Sequence, residues 1–162
     1  MHLGPAEREQ INEGKEAEAM FKTKGMVHFT IPVTDLARAK AFYCDLLGFD
    51  FVRESPRMVF CRSEDDYFVL TISKMPIQPN EEGAVSIHHA FYVEPEEFDR
   101  AVAYLKESGV SIAKEETRGP EAAFGGRHFY FHDPDGNVLE LLDPACGIAA
   151  SKAGFYAENV PD

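Results

Sequence analysis

The chain has 162 residues, 44% of them hydrophobic, which is enough for one well-packed core and indicates a single domain. Its formal net charge is −12, with 16 basic against 28 acidic residues and no dense run of Lys or Arg, so nucleic acid is not expected as a partner. The N-terminus carries no apolar signal region, and no apolar run approaches the roughly 18 residues of a membrane span. We therefore expect a cytoplasmic protein that does not enter a membrane.

Residues 1–25 form a charged segment that differs from the rest of the chain. A helical pattern from Ala6 to Phe21 contains few apolar side chains, which is typical of a solvated helix. The organised part is predicted to run from residue 26 to 145. Residues 146–162 are predicted to be a C-terminal tail.

Within the organised part, two segments repeat at an offset of sixty residues. The segment HFTIPVTDLARAKAFYCDLLGFDF begins at His28, and HHAFYVEPEEFDRAVAYLKESGVSI begins at His88. Each opens with a short apolar run typical of a strand, continues as an amphipathic helix, and reaches a glycine, Gly48 or Gly109, where the helix should end. Tyr43 and Tyr104 lie at helical spacing among apolar neighbours, which predicts that both pack in the core.

Three strand-like runs follow each helix and extend the repeat. They read FDFVRES, RMVFCRS and YFVLTISK in the first copy, and SIAKEET, RHFYFHD and NVLELLD in the second. The segment MPIQPNEEGA at 75–84 has the composition of a linker. The pattern predicts an α+β fold of two tandem βαβββ modules, about 26–74 and 85–145, forming a cupped mixed sheet with the helices outside.

This duplicated unit, with its opening HFTIPVTDLARAKAFYCDLLGF and closing HFYFHDPDGNVLELL, resembles the vicinal oxygen chelate superfamily. That superfamily includes glyoxalases, fosfomycin-resistance proteins, bleomycin-binding proteins and type I extradiol dioxygenases. The resemblance covers residues 25 to 145. It identifies a fold that hosts many chemistries, so the reaction has to be argued from the site.

The resemblance implies a divalent metal held by the first and last strands of the modules. His28 and His88 occupy the same point of the repeat, and Glu140 is a carboxylate among apolar residues of the last strand, a costly position unless it is paired or ligating. The first-module residue matched to Glu140 is Leu70, which cannot bind a cation. Two histidines and one glutamate, with the other positions open, are therefore predicted to hold Fe2+, or else Mn2+, Zn2+, Ni2+ or Co2+.

Neighbouring side chains of a strand leave on opposite faces, so His88 and His89 cannot share one role. We expect His88 to face the cup and His89 to face the helix layer as a partly buried structural residue. The same alternation places His128 and Tyr130 on one face of their strand. Relatives also carry a pocket tyrosine ten residues before the glutamate, and both residues are therefore predicted to assist proton transfer at the metal.

The predicted function is that of a metal-dependent enzyme, most like an extradiol-type dioxygenase acting on a small molecule with adjacent oxygens. An isomerase, hydrolase or thiol transferase using the same metal as a Lewis acid is the first alternative, and a non-enzymatic small-molecule binding protein is the second. The loop ETRGPEAAFGG lacks the Ser and Lys residues that phosphonate recognition uses in fosfomycin-resistance relatives. A homodimer is expected, with His28 meeting His88 and Glu140 within one chain or across the two-fold axis.

Overall fold

The computed structural model describes residues 26–74 and 80–146, of which residues 145 and 146 are described by their backbone alone. The predicted N-terminal extension, the first half of the linker (75–79) and all of the tail beyond residue 146 therefore lie outside the described residues. Within those ranges, no helix is long and apolar enough to cross a membrane.

The described chain repeats one order of elements. The first module contains β1 (His28–Val33), α1 (Leu36–Lys40), β2 (Asp50–Ser55), β3 (Met58–Ser63) and β4 (Asp66–Ile72). The second contains β5 (His88–Tyr92), α2 (Pro95–Glu107), β6 (Ile112–Arg118), β7 (Phe124–His132) and β8 (Val138–Cys146). α1 continues without a break into a π-helical turn, Ala41–Leu46.

The strands form two mixed sheets of four, in the orders β1-β4-β3-β2 and β5-β8-β7-β6. In each sheet the first strand of the module lies parallel to the last, and the remaining pairs are antiparallel. The predicted α+β class and the tandem βαβββ modules are confirmed. Because the last strand lies beside the first, residues of β1 and β4, or of β5 and β8, can meet on one face.

The helix ends follow from the turn residues in the sequence. The Asp35 carboxylate accepts a hydrogen bond from the backbone N–H of Arg38, 2.9 Å away, and so caps α1. Gly48 and Gly109 follow the two helical segments with φ of +77° and +72°, a conformation that side-chain-bearing residues rarely adopt. Both predicted glycine stops are confirmed.

One hydrophobic core serves both modules. The Phe91 ring of β5 lies 5.7 Å from that of Phe68 in β4 and 4.6 Å from that of Phe49. Tyr43 is fully buried in this core, as predicted. The prediction for Tyr104 was wrong, because the residue is 49% exposed and lines a cavity of about 190 Å³.

Polar contacts join the first module to the turn before β8. The Tyr43 hydroxyl donates to the buried carboxylate of Asp133 over 2.8 Å, and the Asn137 amide donates to the Pro32 carbonyl over 2.9 Å. Burial and the Asp133 charge raise the pKa of Tyr43 well above its usual value, so its hydroxyl remains a donor. These bonds fix the start of β8, which carries Glu140.

Candidate metal centre

The parallel pairing of β5 and β8 brings His88 and Glu140 onto one face of the second sheet. His88 lies opposite Val138, and Ala90 lies opposite Glu140, so the imidazole and the carboxylate are diagonal neighbours. Nε2 of His88 is 2.9 Å from Oε2 of Glu140. The carboxylate is only 3% exposed.

The ring of His88 is oriented by a backbone group. Its Nδ1 lies 2.7 Å from the carbonyl oxygen of Val85, and because a carbonyl only accepts, Nδ1 carries the hydrogen. In the neutral ring Nε2 then presents a lone pair toward Glu140, which is the arrangement found in metal-binding histidines. Two ligand atoms about 2.1 Å from one ion and at a right angle lie about 3 Å apart, so the observed spacing fits a shared cation.

Glu140 has a second imidazole partner on its other side. Nδ1 of His128 is hydrogen-bonded with Oε1 of Glu140, and Nε2 of His128 lies 3.0 Å from the carbonyl oxygen of Phe124. His128 is 2% exposed. Both ring nitrogens are therefore engaged by protein atoms, which the sequence did not indicate.

Tyr130 lies opposite Glu140 in the β7–β8 register and is 1% exposed. Its ring meets that of His88 edge to face, with the centroids 5.3 Å apart, and its hydroxyl accepts a hydrogen bond of 3.2 Å from Arg118. Burial, followed by the charge of Glu140, raises the pKa of Tyr130 well above its usual value. The phenol is therefore a hydrogen-bond donor at neutral pH rather than a base.

Beside these residues, β6 presents a row of charges that sequence reasoning missed. Glu116 lies opposite His128, so alternation places Lys114, Glu116 and Arg118 on the same face as the candidate site. Lys114 contacts Glu116 over 2.6 Å, and Nε of Arg118 donates to the same carboxylate over 3.0 Å. Lys114, together with Arg118, lowers the pKa of Glu116. The period-two spacing of charges in KEETR is the signal that could have found them.

His28, the third predicted ligand, is the first residue of β1 and lies in the other sheet. Its side chain is exposed. Among the side chains that the structure describes, in residues 26–74 and 80–144 of one chain, no three His, Cys, Asp or Glu are arranged to hold a metal ion. A single chain thus brings His88 and Glu140 together and leaves His28 apart from them.

The residue matched to Glu140 in the first module needs correction. Glu140 pairs with Ala90, two residues after His88, and the residue that pairs with Thr30, two residues after His28, is Val69. Leu70 instead pairs with Ile31 and is fully buried in the core. The match was one residue out of register, which moves a side chain to the other face of the sheet. Valine has no side-chain atom that can bind a metal, so the first module supplies no ligand at this position either.

His89 lies on the opposite face from His88, as alternation predicts. Its ring stacks on that of Phe29 in β1. Burial, followed by the neighbouring His88, lowers the pKa of His89, so the ring is held in its neutral form. This environment is that of a packing residue.

Two βαβββ modules with a histidine and a glutamate on adjacent first and last strands define a vicinal oxygen chelate fold with a candidate metal centre. The chain belongs to the glyoxalase/bleomycin resistance protein/dioxygenase superfamily, whose sequence profile matches residues 25–141.

Curated relatives cover most of the chain. This chain is 33% identical over 137 residues to the uncharacterized protein YaeR of Escherichia coli K12, and the alignment covers 76% of this chain and 99% of YaeR. It is 28% identical over 134 residues to the metallothiol transferase FosB of Staphylococcus saprophyticus, covering 83% and 84% of the two chains.

The fold is shared with solved structures of fosfomycin-resistance proteins. A variant of FosX from Listeria monocytogenes, crystallised with Mn(II) and a dihydroxypropylphosphonic acid, superposes with a TM-score of 0.63 at 22% identity. The superposition covers 76% of this chain and 95% of that one. The predicted superfamily is confirmed.

Proposed function

We propose that the protein is a divalent-metal-dependent enzyme that activates an oxygen of a small substrate for attack by a thiol or by water. The observation that carries this proposal is the pair formed by His88 and Glu140, whose facing atoms lie 2.9 Å apart. Oε1 of Glu140 is hydrogen-bonded with His128, whereas Oε2 faces a ring nitrogen of His88 that carries no hydrogen, and a cation between these two atoms would offset the cost of burying the carboxylate.

His88 and Glu140 would supply two ligands, and His28 would supply the third. A bound divalent ion would act as a Lewis acid that polarises a substrate oxygen. Imidazole and carboxylate together suit Mn2+, Zn2+, Ni2+, Co2+ and Fe2+. The FosX structure with Mn(II) supports Mn2+ as the first ion to test.

His28 would come from a second copy of the chain in a homodimer. It is exposed and lies in a different sheet from Glu140, and one chain alone lacks a three-residue metal group among its described residues. A symmetric pair can place the first sheet of one protomer over the second sheet of its partner, which would form two equivalent sites.

Tyr130 and the charged row of β6 would bind the substrate. The Tyr130 phenol would donate a hydrogen bond to a substrate oxygen, since burial keeps it protonated. Arg118 contacts that phenol and is about 40% exposed, so its remaining N–H groups can bind an acid group. We infer a small substrate that carries an oxyanion beside the oxygen to be activated.

The relatives favour group transfer over oxygen chemistry. FosB is named a metallothiol transferase, which supports the thiol-transferase alternative for this chain. The loop between β6 and β7 lacks the Ser and Lys residues of the fosfomycin branch, so we expect a substrate other than fosfomycin.

An extradiol-type dioxygenase is the second candidate. The predicted ligand set of two histidines and one carboxylate is the one used by Fe(II) oxygenases, in which open positions hold the substrate oxygens and dioxygen. Under that function the metal would be Fe2+, and a catechol would be cleaved in air.

The first experiment measures Mn2+ binding to the purified protein after chelation. We expect one ion per chain in the wild type, loss of binding in His88→Ala and Glu140→Gln, and retained binding in His89→Ala, the matched control from the neighbouring position. A residue that binds the ion contributes a direct bond, so removing it should lower the Mn2+ affinity far more than removing His89 does. If His89→Ala loses the ion while His88→Ala keeps it, the proposed site is wrong.

The second experiment assigns the reaction. The Mn2+ and Fe2+ forms are screened with small acids, including acids that carry an epoxide, in the presence of thiols or water. They are also screened with catechols in the presence of oxygen. Consumption of thiol supports the transferase, whereas ring cleavage by the Fe2+ form alone supports the dioxygenase. Binding of such molecules without turnover by any metal form would support the predicted non-enzymatic binding protein instead.

A further inference from the structure

The candidate ligand Glu140 is connected to the start of β7 by one buried side chain, His128. Nδ1 of His128 is hydrogen-bonded with Oε1 of Glu140, while Nε2 lies 3.0 Å from the carbonyl oxygen of Phe124. Oε2 of the same carboxylate faces His88. His128 therefore holds one carboxylate oxygen in place and leaves the other directed at the site.

The contact with Phe124 depends on a bend in β7. Phe124 and His128 are four residues apart in the same strand, and an extended strand would separate them by about 13 Å, beyond the reach of an imidazole. The register with β8 shifts between Gly125 and Gly126, and Gly126 has a φ of +135°. Such a bulge needs glycine and turns the strand, which brings the Phe124 carbonyl back to the ring of His128.

The geometry argues against direct proton transfer from His128 to a substrate. The side chain is 2% exposed, and each ring nitrogen already has a protein partner. The Tyr130 hydroxyl lies 3.5 Å from Nδ1, between that nitrogen and Arg118. His128 is therefore placed to act through Glu140 rather than on a substrate directly.

We propose that His128 is a positioning residue that fixes the orientation of Glu140 toward the bound ion and couples the ion to the loop at 119–123, which ends at Phe124. The inference rests on the proposed metal site. Hydrogen-bond partners of metal ligands orient the ligand and raise affinity for the ion. Because coupling is reciprocal, an ion that stabilises the Glu140–His128–Phe124 chain also restrains the loop.

The test compares Mn2+ affinity in four proteins, using the electron paramagnetic resonance signal of the free ion. His128→Phe keeps a ring of similar volume but removes both hydrogen bonds, and should bind Mn2+ about 10- to 100-fold more weakly. His128→Gln restores a donor and should recover part of the loss. His132→Phe, a change of the same kind at the other end of β7 where the histidine contacts Ser111, should match the wild type.

A second readout follows the loop itself. Trypsin can cut after Arg118, and bound Mn2+ should slow that cleavage several-fold in the wild type but not in His128→Phe. Denaturation in the presence of a chelator shows whether each variant is folded. If His128→Phe is unfolded, the Mn2+ affinity of His128→Gln and the wild-type cleavage rates with and without Mn2+ test the proposal instead.

The outcomes separate the two proposals. A wild type that binds no Mn2+ contradicts the proposed function. A wild type that binds it, with equal affinity in folded His128→Phe, contradicts the positioning role, as does a cleavage rate in the wild type that is unchanged by the ion.

Discussion

The imidazole of His89 stacks on the phenyl ring of Phe29, with the ring centroids 4.7 Å apart and the planes within 13°. The two residues hold the same place in the two copies of the repeat, each directly after a candidate ligand histidine. Side chains alternate along a strand, so His28 and His88 each leave on the face away from this stack. The stack thus joins the modules through their core while both ligand histidines point away from it.

The stack predicts a dependence of stability on pH. The pKa of His89 is lowered in the folded protein, so between that value and about 6.5 the unfolded chain binds more protons. The stabilisation is therefore complete above about pH 6.5 and is lost as the pH falls, by at most about 1.4 kcal/mol per pH unit.

His89→Phe keeps the ring contact and removes the titration. We expect the metal-free variant to lose less stability than the wild type between pH 7 and pH 5, as measured by urea denaturation. Parallel losses in the two proteins would show that the folded and unfolded chains protonate His89 alike.

The hydrogen bond between Tyr43 and Asp133 should stabilise the contact between the modules. Tyr43→Phe removes the 2.8 Å bond inside the core and should cost about 1–2 kcal/mol of the free energy of unfolding. Tyr104→Phe is the control. Tyr104 is half exposed, so loss of its hydroxyl should change the free energy of unfolding by less than about 0.5 kcal/mol. The free energies of unfolding of both variants are measured by urea denaturation at one protein concentration. Equal losses in the two variants would show that the bond between Tyr43 and Asp133 does not stabilise the fold.

Much of the fold could be predicted because the repeat and the alternation in strands are local signals. The sixty-residue offset between His28 and His88 identified two modules, and the period of two separated His88 from His89. The core position of Tyr43 followed from helical spacing. The same spacing failed for Tyr104 because it does not show where the apolar stripe of a helix ends.

The rest depended on register, which sequence patterns do not determine. Val69 rather than Leu70 matches Glu140, because strand pairing and not the turn sets which residues are equivalent. The engagement of both nitrogens of His128 depends on a bulge at Gly126, and a bulge leaves no mark in hydrophobic alternation. Arg118 was missed because a charged residue on an exposed strand resembles ordinary surface.

Tyr130→Phe should lower turnover while leaving the metal content unchanged. The substitution removes only a hydroxyl that we propose donates to a substrate oxygen, and losing one such donor typically lowers the rate about a hundred- to thousandfold. Turnover is measured with the substrate identified by the screen, and metal content by elemental analysis, with Tyr104→Phe as the control. A wild-type rate for Tyr130→Phe would exclude the proposed role.

Arg118→Gln should weaken binding of small oxyanions near the metal. A charge-assisted hydrogen bond is worth about 1.5–3 kcal/mol, which corresponds to about a 10- to 150-fold loss of affinity. Competition by methylphosphonate against turnover, or its effect on the resonance spectrum of bound Mn2+, measures this. Arg100→Gln, an exposed position on α2 that pairs with Glu97, should leave the affinity unchanged. Equal losses in the two variants would point to overall charge rather than to a site.

The assembly of the site can be tested by mixing two defective proteins. His28→Ala lacks the first-module ligand, and Glu140→Ala lacks a second-module ligand, so neither homodimer should bind Mn2+ tightly. Suppose that each site takes His28 from one protomer and His88 with Glu140 from the partner. A mixed dimer then contains one site with all three ligands and a second site that lacks both His28 and Glu140.

Random pairing of equal amounts makes half of the dimers mixed, so unfolding and refolding the mixture together should recover about a quarter of the wild-type metal capacity. Separate tags on the two proteins, followed by two purification steps, would isolate the mixed dimer, which should bind one ion per dimer. A mixed dimer that binds none would show that all three residues meet within one chain. A wild-type protein that stays monomeric at micromolar concentration would contradict the exchange altogether, since a monomer has no partner to supply His28.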